Sequence, residues 1–224
     1  MNVSISTSNL VRPPSAKEDD EQPIRILAIG GSTRSGSASE VALRVACRAA
    51  EVAGAEVDYV VGRDLMLPIY DTEEESRSSE SSRLVQALAK ADGVIISSPG
   101  YHGSMSGMVK NALDYAEDLR RMGISYLDGK AIGCISVAYG WQAAVSSLQH
   151  LRTVAHALRG WPTPLGVAVN SSVVSMELVE QDPANAHAAQ LRTVGSQVLT
   201  FAQAMRGLES ANRSMDNSFG RTFG

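Results

Sequence analysis

From Ile24 onward the chain alternates short apolar runs with longer amphipathic stretches. Ile24, Ile26, Leu27, Ala28 and Ile29 form the first run, which ends at Gly30–Gly31. Over Ser39–Ala53 the residues Val41, Ala42, Val45, Ala46, Ala49 and Ala50 recur at helical spacing, with Glu40, Arg44, Arg48 and Glu51 opposite. Gly54 stops this helix. A second strand is expected over Glu56–Val61 and a second helix from about Ser82 to Ala91, with Leu84, Val85, Leu88 and Ala89 facing inward. Between them Pro68 and Asp71 mark a loop, and the Glu- and Ser-rich segment Thr72–Ser82 reads as exposed and mobile. Val94–Ser97 predicts the third strand, Gly107–Arg121 a helix and Lys130–Ala138 the fourth strand. The helix Gln142–Arg159 carries Val145, Leu148, Leu151, Ala155 and Leu158 at helical spacing. A fifth strand follows at Pro164–Val169, and a last helix at Pro183–Arg206 with Leu191, Val194, Val198, Phe201 and Met205 as its inner stripe.

Strands alternating with helices predict an α/β fold: a five-stranded, doubly wound parallel sheet with helices on both faces. The nearly continuous apolar strands suit burial on both sides. Met1–Pro23 is polar and aperiodic and reads as a flexible N-terminal tail; residues 24–206 form the domain, and 207–224 a flexible C-terminal tail. In such sheets ligands bind beyond the carboxyl ends of the strands, at the switch point. The loops after the first, third and fourth strands are the richest in Gly, Ser and aromatic residues, and they would meet at one edge.

Composition narrows the partners. The 224 residues are 44% hydrophobic and 20% charged, which suits one soluble domain. A net charge of −4 with no basic run argues against a nucleic-acid partner. No stretch is long and apolar enough for a membrane helix, and no apolar core follows a basic start as in a signal peptide. Cys47 and Cys134 belong to no CxxC and read as small core residues, consistent with a cytoplasmic protein.

The candidate chemistry starts after Gly30–Gly31, where Ser32, Thr33, Arg34, Ser35, Ser37 and Ser39 precede a helix. A strand, a Gly/Ser loop and a helix start form an anion-binding device, because the first helical N–H groups lack partners and the helix dipole favours negative charge. The P-loop pattern nearly fits Gly31–Ser37, but Ser37 stands where a lysine is required. The dinucleotide spacing GxGxxG is absent. A lysine-free, hydroxyl-lined loop suits a single phosphomonoester such as that of FMN; the alternative is an ordinary turn whose serines cap the helix.

In the second loop, Pro99 fixes the strand exit, while Gly100 and Gly103 allow backbone N–H groups close to a ligand such as a flavin's pyrimidine edge. Tyr101 is either an aromatic wall or a packing residue, and His102 reads as a hydrogen-bonder rather than a proton donor. Lys110 and Asp114 predict an exposed i,i+4 ion pair. Trp141 faces a flavin, a neighbouring subunit or the core, and Trp161 packs. His150, His156 and His187 have no metal-ligand spacing, and no GxSxG frames Ser104 or Ser106.

The motifs GSTRSGSAS at Gly31–Ser39, LPIYD at Leu67–Asp71 and SPGYHGSMSGMVKNALDY at Ser98–Tyr115 resemble the NADPH-dependent FMN reductases of flavodoxin-like fold, over roughly Ile24–Asn170. The resemblance implies an FMN whose phosphate lies on Ser32, Arg34, Ser37 and Ser39, with Ala38 in the same cofactor set. Its isoalloxazine would lie along Pro99, Gly100, Tyr101, His102 and Gly103, with Ala138, Tyr139 and Gly140 on another side. The family often carries Asn where Ser39 stands, Glu at Gly100, Asn at His102 and Pro at Ser106. The implied activity passes hydride from NADPH or NADH to FMN and then to a flavin, quinone or other small acceptor, with no catalytic amino-acid acid or base. Rival implications are an FMN enzyme acting on a dedicated metabolite, a quinone, azo-dye or metal-ion reductase, and a flavodoxin-like electron carrier. A homodimer or homotetramer is implied too, with Met105, Met108, Tyr139 and Trp141 expected to be exposed near the flavin edge.

Overall fold

A computed structural model describes residues 22–220 of the protein, with side chains through residue 212. The first apolar run is the strand β1 (Arg25–Gly30), buried along its length except at Arg25. It is flanked by parallel strands β2 (Glu56–Val61) and β3 (Gly93–Tyr101), and β3 in turn pairs with β5 (Ala131–Ala138). The path of the sheet is β2-β1-β3-β5-β6. Alternate residues serve opposite faces: Leu27 and Ile29 join one core cluster, Ile26 and Ala28 the other. Helices α1 (Ala38–Val52) and α6 (Ala186–Gly220) pack on one face through Leu43, Ala46, Leu191, Val194 and Val198. Helices α2 (Ser79–Lys90), α3 (Gly107–Asp114) and α4 (Trp141–Ala157) cover the other through Leu84, Leu88, Leu113 and Leu151.

The expected count of five strands is corrected to seven. The two-residue β4 (Ser104–Met105) folds back antiparallel on β3. The fifth position is split: β6 (Trp161–Pro162) pairs with Ala131 and Ile132, while β7 (Val167–Asn170) pairs with Ile135–Ala138. Pro162 and Pro164 lack the N–H that a continuous ladder needs there. The expected helix Gly107–Arg121 is α3 followed by a 3-10 segment, Tyr115–Met122, closed by Gly123. A short helix α5 (Met176–Gln181), capped by Ser175, was not expected. Val145 is exposed rather than part of the inner stripe of α4, which uses Ala144, Ser147, Leu148, Leu151 and Ala155. Helix α6 continues past Arg206 to Gly220, through part of the expected C-terminal tail; the guanidinium of Arg206 donates to the carbonyl of Gln22. The expected N-terminal tail falls outside the described residues up to residue 21, as do residues 221–224.

Candidate functional site

From β1 the chain turns to β2 on one side and, after α2, to β3 on the other. The crevice at this reversal is where open α/β sheets take ligands. The Gly31 N–H donates to the Ser97 carbonyl at 3.0 Å, tying the first loop to β3. A Cβ on Gly31 would stand 2.2 Å from Val109 Cγ2 and 2.8 Å from Ser106 Oγ, so no side chain fits. Gly31→Ala is therefore expected to lower stability by about 1–3 kcal/mol through overpacking, read as an earlier urea-unfolding midpoint.

Beyond Gly31 the chain makes a turn, with the Ser37 N–H donating to Arg34 O at 3.2 Å and Gly36 at φ 65°, as the third residue of a type II turn requires. Ser37 caps α1: its Oγ accepts the Glu40 N–H at 3.3 Å and lies 3.3 Å from Ser39 Oγ. Ser97 Oγ donates to the Ser39 carbonyl at 2.7 Å. Ser37 and Ser39 are buried, Ser32 and Ala38 half-buried and Arg34 exposed. The N–H groups of Ala38 and Ser39, in the first helical turn, have no acceptor within the helix. Among the described residues the Arg34 guanidinium has no ion pair.

Glu40, expected on the outer face of α1, is instead folded back and largely buried. Its Oε2 accepts the Gly36 N–H at 3.1 Å, and its Oε1 accepts from Arg44 Nε and Nη2 at 3.1 and 2.7 Å.

The second loop is a β-hairpin. β3 runs on through Pro99 and Gly100 to Tyr101 and returns as β4, with Gly100 opposite Met105 and Tyr101 opposite Ser104. The two central residues, His102 and Gly103, have φ of 51° and 84°, both positive as in a type I′ turn. His102 is exposed, and histidine is one of the side chains that tolerate this region. Tyr101 is 55% exposed and stacks on no other ring among the described residues. A Cβ at Gly100 would lie 2.8 Å from Ser147 Oγ and 2.9 Å from Ala138 Cβ, so the hairpin lies against α4 and the end of β5. Ser136 Oγ and Ser147 Oγ are buried without a hydrogen-bond partner among the described residues. Beyond Ala138, Tyr139 and Trp141 are 84% and 52% exposed, with Gly140 as the N-cap of α4. The expected exposure of Met105 and Met108 is corrected: Met105 is buried because the hairpin turns it onto the core, and Met108, in the first turn of α3, is half-buried against the same cluster. Trp161 is exposed, its ring against Phe201 at 5.8 Å.

A third feature was not foreseen. Lys110 and Asp114 form the expected exposed pair, but the other side of this stretch grips the loop after β2. Asn111 accepts the Tyr70 N–H and donates to Pro68 O, each at 2.8 Å, and Tyr115 Oη donates to the same carbonyl at 3.0 Å. Arg77 reaches from the Glu/Ser-rich segment to Asp118 at 2.7 Å, with its guanidinium over the Tyr70 and Tyr115 rings. The segment expected to be mobile is thus anchored at Arg77. Asn111, Tyr115 and Asp118 follow i, i+4, i+7 spacing, which was the available signal.

The strand order β1-β3-β5 sets the loops holding Ser32–Ser39, Pro99–Gly103 and Ala138–Gly140 side by side at the carboxyl edge of the sheet. Two clefts open elsewhere. One of about 580 Å³ lies at the amino ends of β1 and β2, beside Arg25 and Glu56; the other, of about 670 Å³, lies beside Arg44, Tyr59 and Arg192. Cys47 and Cys134 are buried, and burial pushes both thiols up to about 12, so they stay protonated.

An NADPH azoreductase of Bacillus sp. (strain OY1-2) is 35% identical over 86 residues, 38% of this chain and 45% of the relative. An FMN-dependent NADPH-azoreductase of Staphylococcus aureus (strain USA300) is 38% identical over 91 residues, 40% of this chain and 44% of the relative. The chain thus spans less than half the length of these curated relatives. Among solved structures, RosB with a bound riboflavin-5'-phosphate derivative superimposes with a TM-score of 0.63 at 14% identity, covering 87% of each chain. A WrbA-like flavodoxin of Agrobacterium tumefaciens gives 0.56 at 16% identity over 82% of this chain and 99% of its own. These likenesses support a flavodoxin-like α/β fold. The model of the family described as NADPH-dependent FMN reductase matches residues 24–173, most of the domain whose loops form the shared edge, and the chain belongs to that family.

Proposed function

We propose that this protein is an FMN-dependent NAD(P)H oxidoreductase that reduces a small acceptor such as a free flavin, a quinone or an azo compound. The observation that carries the reading is the seat at the start of α1, lysine-free and hydroxyl-lined, beside the hairpin that ends β3. The residues fit a phosphomonoester. The N–H groups of Ala38 and Ser39, the hydroxyls of Ser32, Ser37 and Ser39, and the Arg34 guanidinium supply donors and one positive charge. The backbone of Pro99–Gly103, with Tyr101, His102 and the Ala138–Gly140 loop, would line the ring. When bound, FMN supplies the hydride chemistry. The chain's own part is to fix the phosphate, orient the ring and leave one face open to NAD(P)H and the acceptor.

The hairpin edge lies outside both clefts, and Tyr139, Trp141 and Val145 are exposed around it. Such a surface supports a homodimer or homotetramer, which light scattering at micromolar concentration would detect against a monomer. Among the described residues no helix is long and apolar enough to cross a membrane. That and the unpaired, buried cysteines support a cytoplasmic setting.

The test is anaerobic. Protein reconstituted with FMN and given NADPH alone should lose its visible flavin absorbance rapidly. An unchanged spectrum would favour the electron-carrier alternative, and release of FAD rather than FMN on heating would overturn the cofactor assignment.

A further inference from the structure

The folded-back Glu40 is not explained by helix capping alone. A carboxylate three residues after an N-cap serine normally bonds the cap's own N–H. Here that N–H is taken by Arg34 O, and Glu40 reaches one residue further, to the Gly36 N–H. The contact holds the one left-handed residue of the turn and removes a donor from the loop. It also brings a negative charge against the seat proposed for a dianion, balanced by Arg44 one turn along the helix.

Resting on the function proposed above, we infer that Glu40 and Arg44 form a positioning pair that limits how tightly this protein holds a flavin phosphate. Glu40 shapes the loop through Gly36, and its charge offsets part of the attraction that the helix start and Arg34 exert on a phosphomonoester. Arg44 neutralises that charge. Neither residue touches reacting atoms; both act through the loop.

Opposite shifts follow. Glu40→Gln keeps an oxygen acceptor for the Gly36 N–H and deletes the charge, so FMN should bind about two- to fivefold tighter, the range for a charge in the first turn of a helix. Arg44→Met keeps an unbranched side chain but removes the guanidinium, which lies over the Tyr59 ring, and leaves Glu40 unbalanced, so FMN should bind weaker by a similar factor. Riboflavin, which lacks the phosphate, should bind all three proteins alike. Fluorescence-quenching titrations of apo-protein with FMN and with riboflavin read both, with circular dichroism as the check of folding. Equal FMN constants in wild type and E40Q, or parallel changes for riboflavin, overturn the inference. E40Q alone decides it if R44M does not fold. A wild type that takes up neither flavin overturns the proposed function itself and this inference with it.

Discussion

Asp118→Ala is expected to lower the stability of this protein by about 3 kcal/mol, the largest effect anticipated for a single change outside the central core. Its carboxylate and the Arg77 guanidinium are 9% and 11% exposed as side chains and meet at 2.7 and 3.1 Å. Deleting one partner leaves the other charge buried without its counter-ion, which typically costs about 3–5 kcal/mol. The low end applies, because Arg77 keeps the carbonyls of Glu74 and Asp71 and the faces of Tyr70 and Tyr115. For a chain of this size that corresponds to a melting temperature lower by roughly 6–12 °C.

The pH dependence is a second readout. The hydrogen bond from Arg77 holds the Asp118 carboxyl below its usual range, against the opposing effect of burial. A depressed folded pKa means that the stabilisation is complete above the unfolded value and is lost as pH falls through the folded one. The gap between wild type and variant should therefore be constant near neutrality and close in acid, below about pH 4. A variant with unchanged melting temperature at pH 7 would show that the pair contributes nothing net.

Arg34→Ala is expected to weaken FMN binding by roughly 10- to 150-fold, with little effect on the rate of hydride transfer in the fraction that holds flavin. The guanidinium is exposed on the turn before α1 and has no ion pair among the described residues. A charge-assisted hydrogen bond to a dianionic phosphate is worth about 1.5–3 kcal/mol, which converts to that range. Lysine at this position should recover only part of the loss, since it carries charge without the planar fork. Titration of apo-protein by fluorescence quenching, beside stopped-flow reduction of the loaded enzyme, separates affinity from rate. Equal dissociation constants in wild type and variant would mean that the seat at the start of α1 does not hold a phosphate.

Much of the fold is local and was legible. β1 and β5 read as apolar runs because they are covered on both faces, and the Gly/Ser loop placed the start of α1 at about Ser39, one residue after the observed Ala38, because capping and turn chemistry depend on neighbouring residues. The two motif loops were recognisable for the same reason. A strand, a turn and a helix start occupy about a dozen consecutive positions, and the residue types needed there are narrow.

What only the tertiary structure decided depends on residues far apart in the chain. The split of the fifth strand reflects which half of β5 each piece can reach around two prolines. Met105 turned inward because the hairpin folds over the core, and His102 became a turn residue because the pairing of Tyr101 with Ser104 leaves His102 and Gly103 as the two linking positions. The Arg77–Asp118 pair joins residues 41 positions apart, and the sequence showed only a Glu/Ser-rich loop and a surface-like helix. Glu40 looked outward by helical periodicity, yet it was drawn back by the Gly36 N–H and Arg44. Periodicity assigns a side chain to a face of its helix, while the direction it finally takes is set by the unpaired donors and charges that the fold brings within reach.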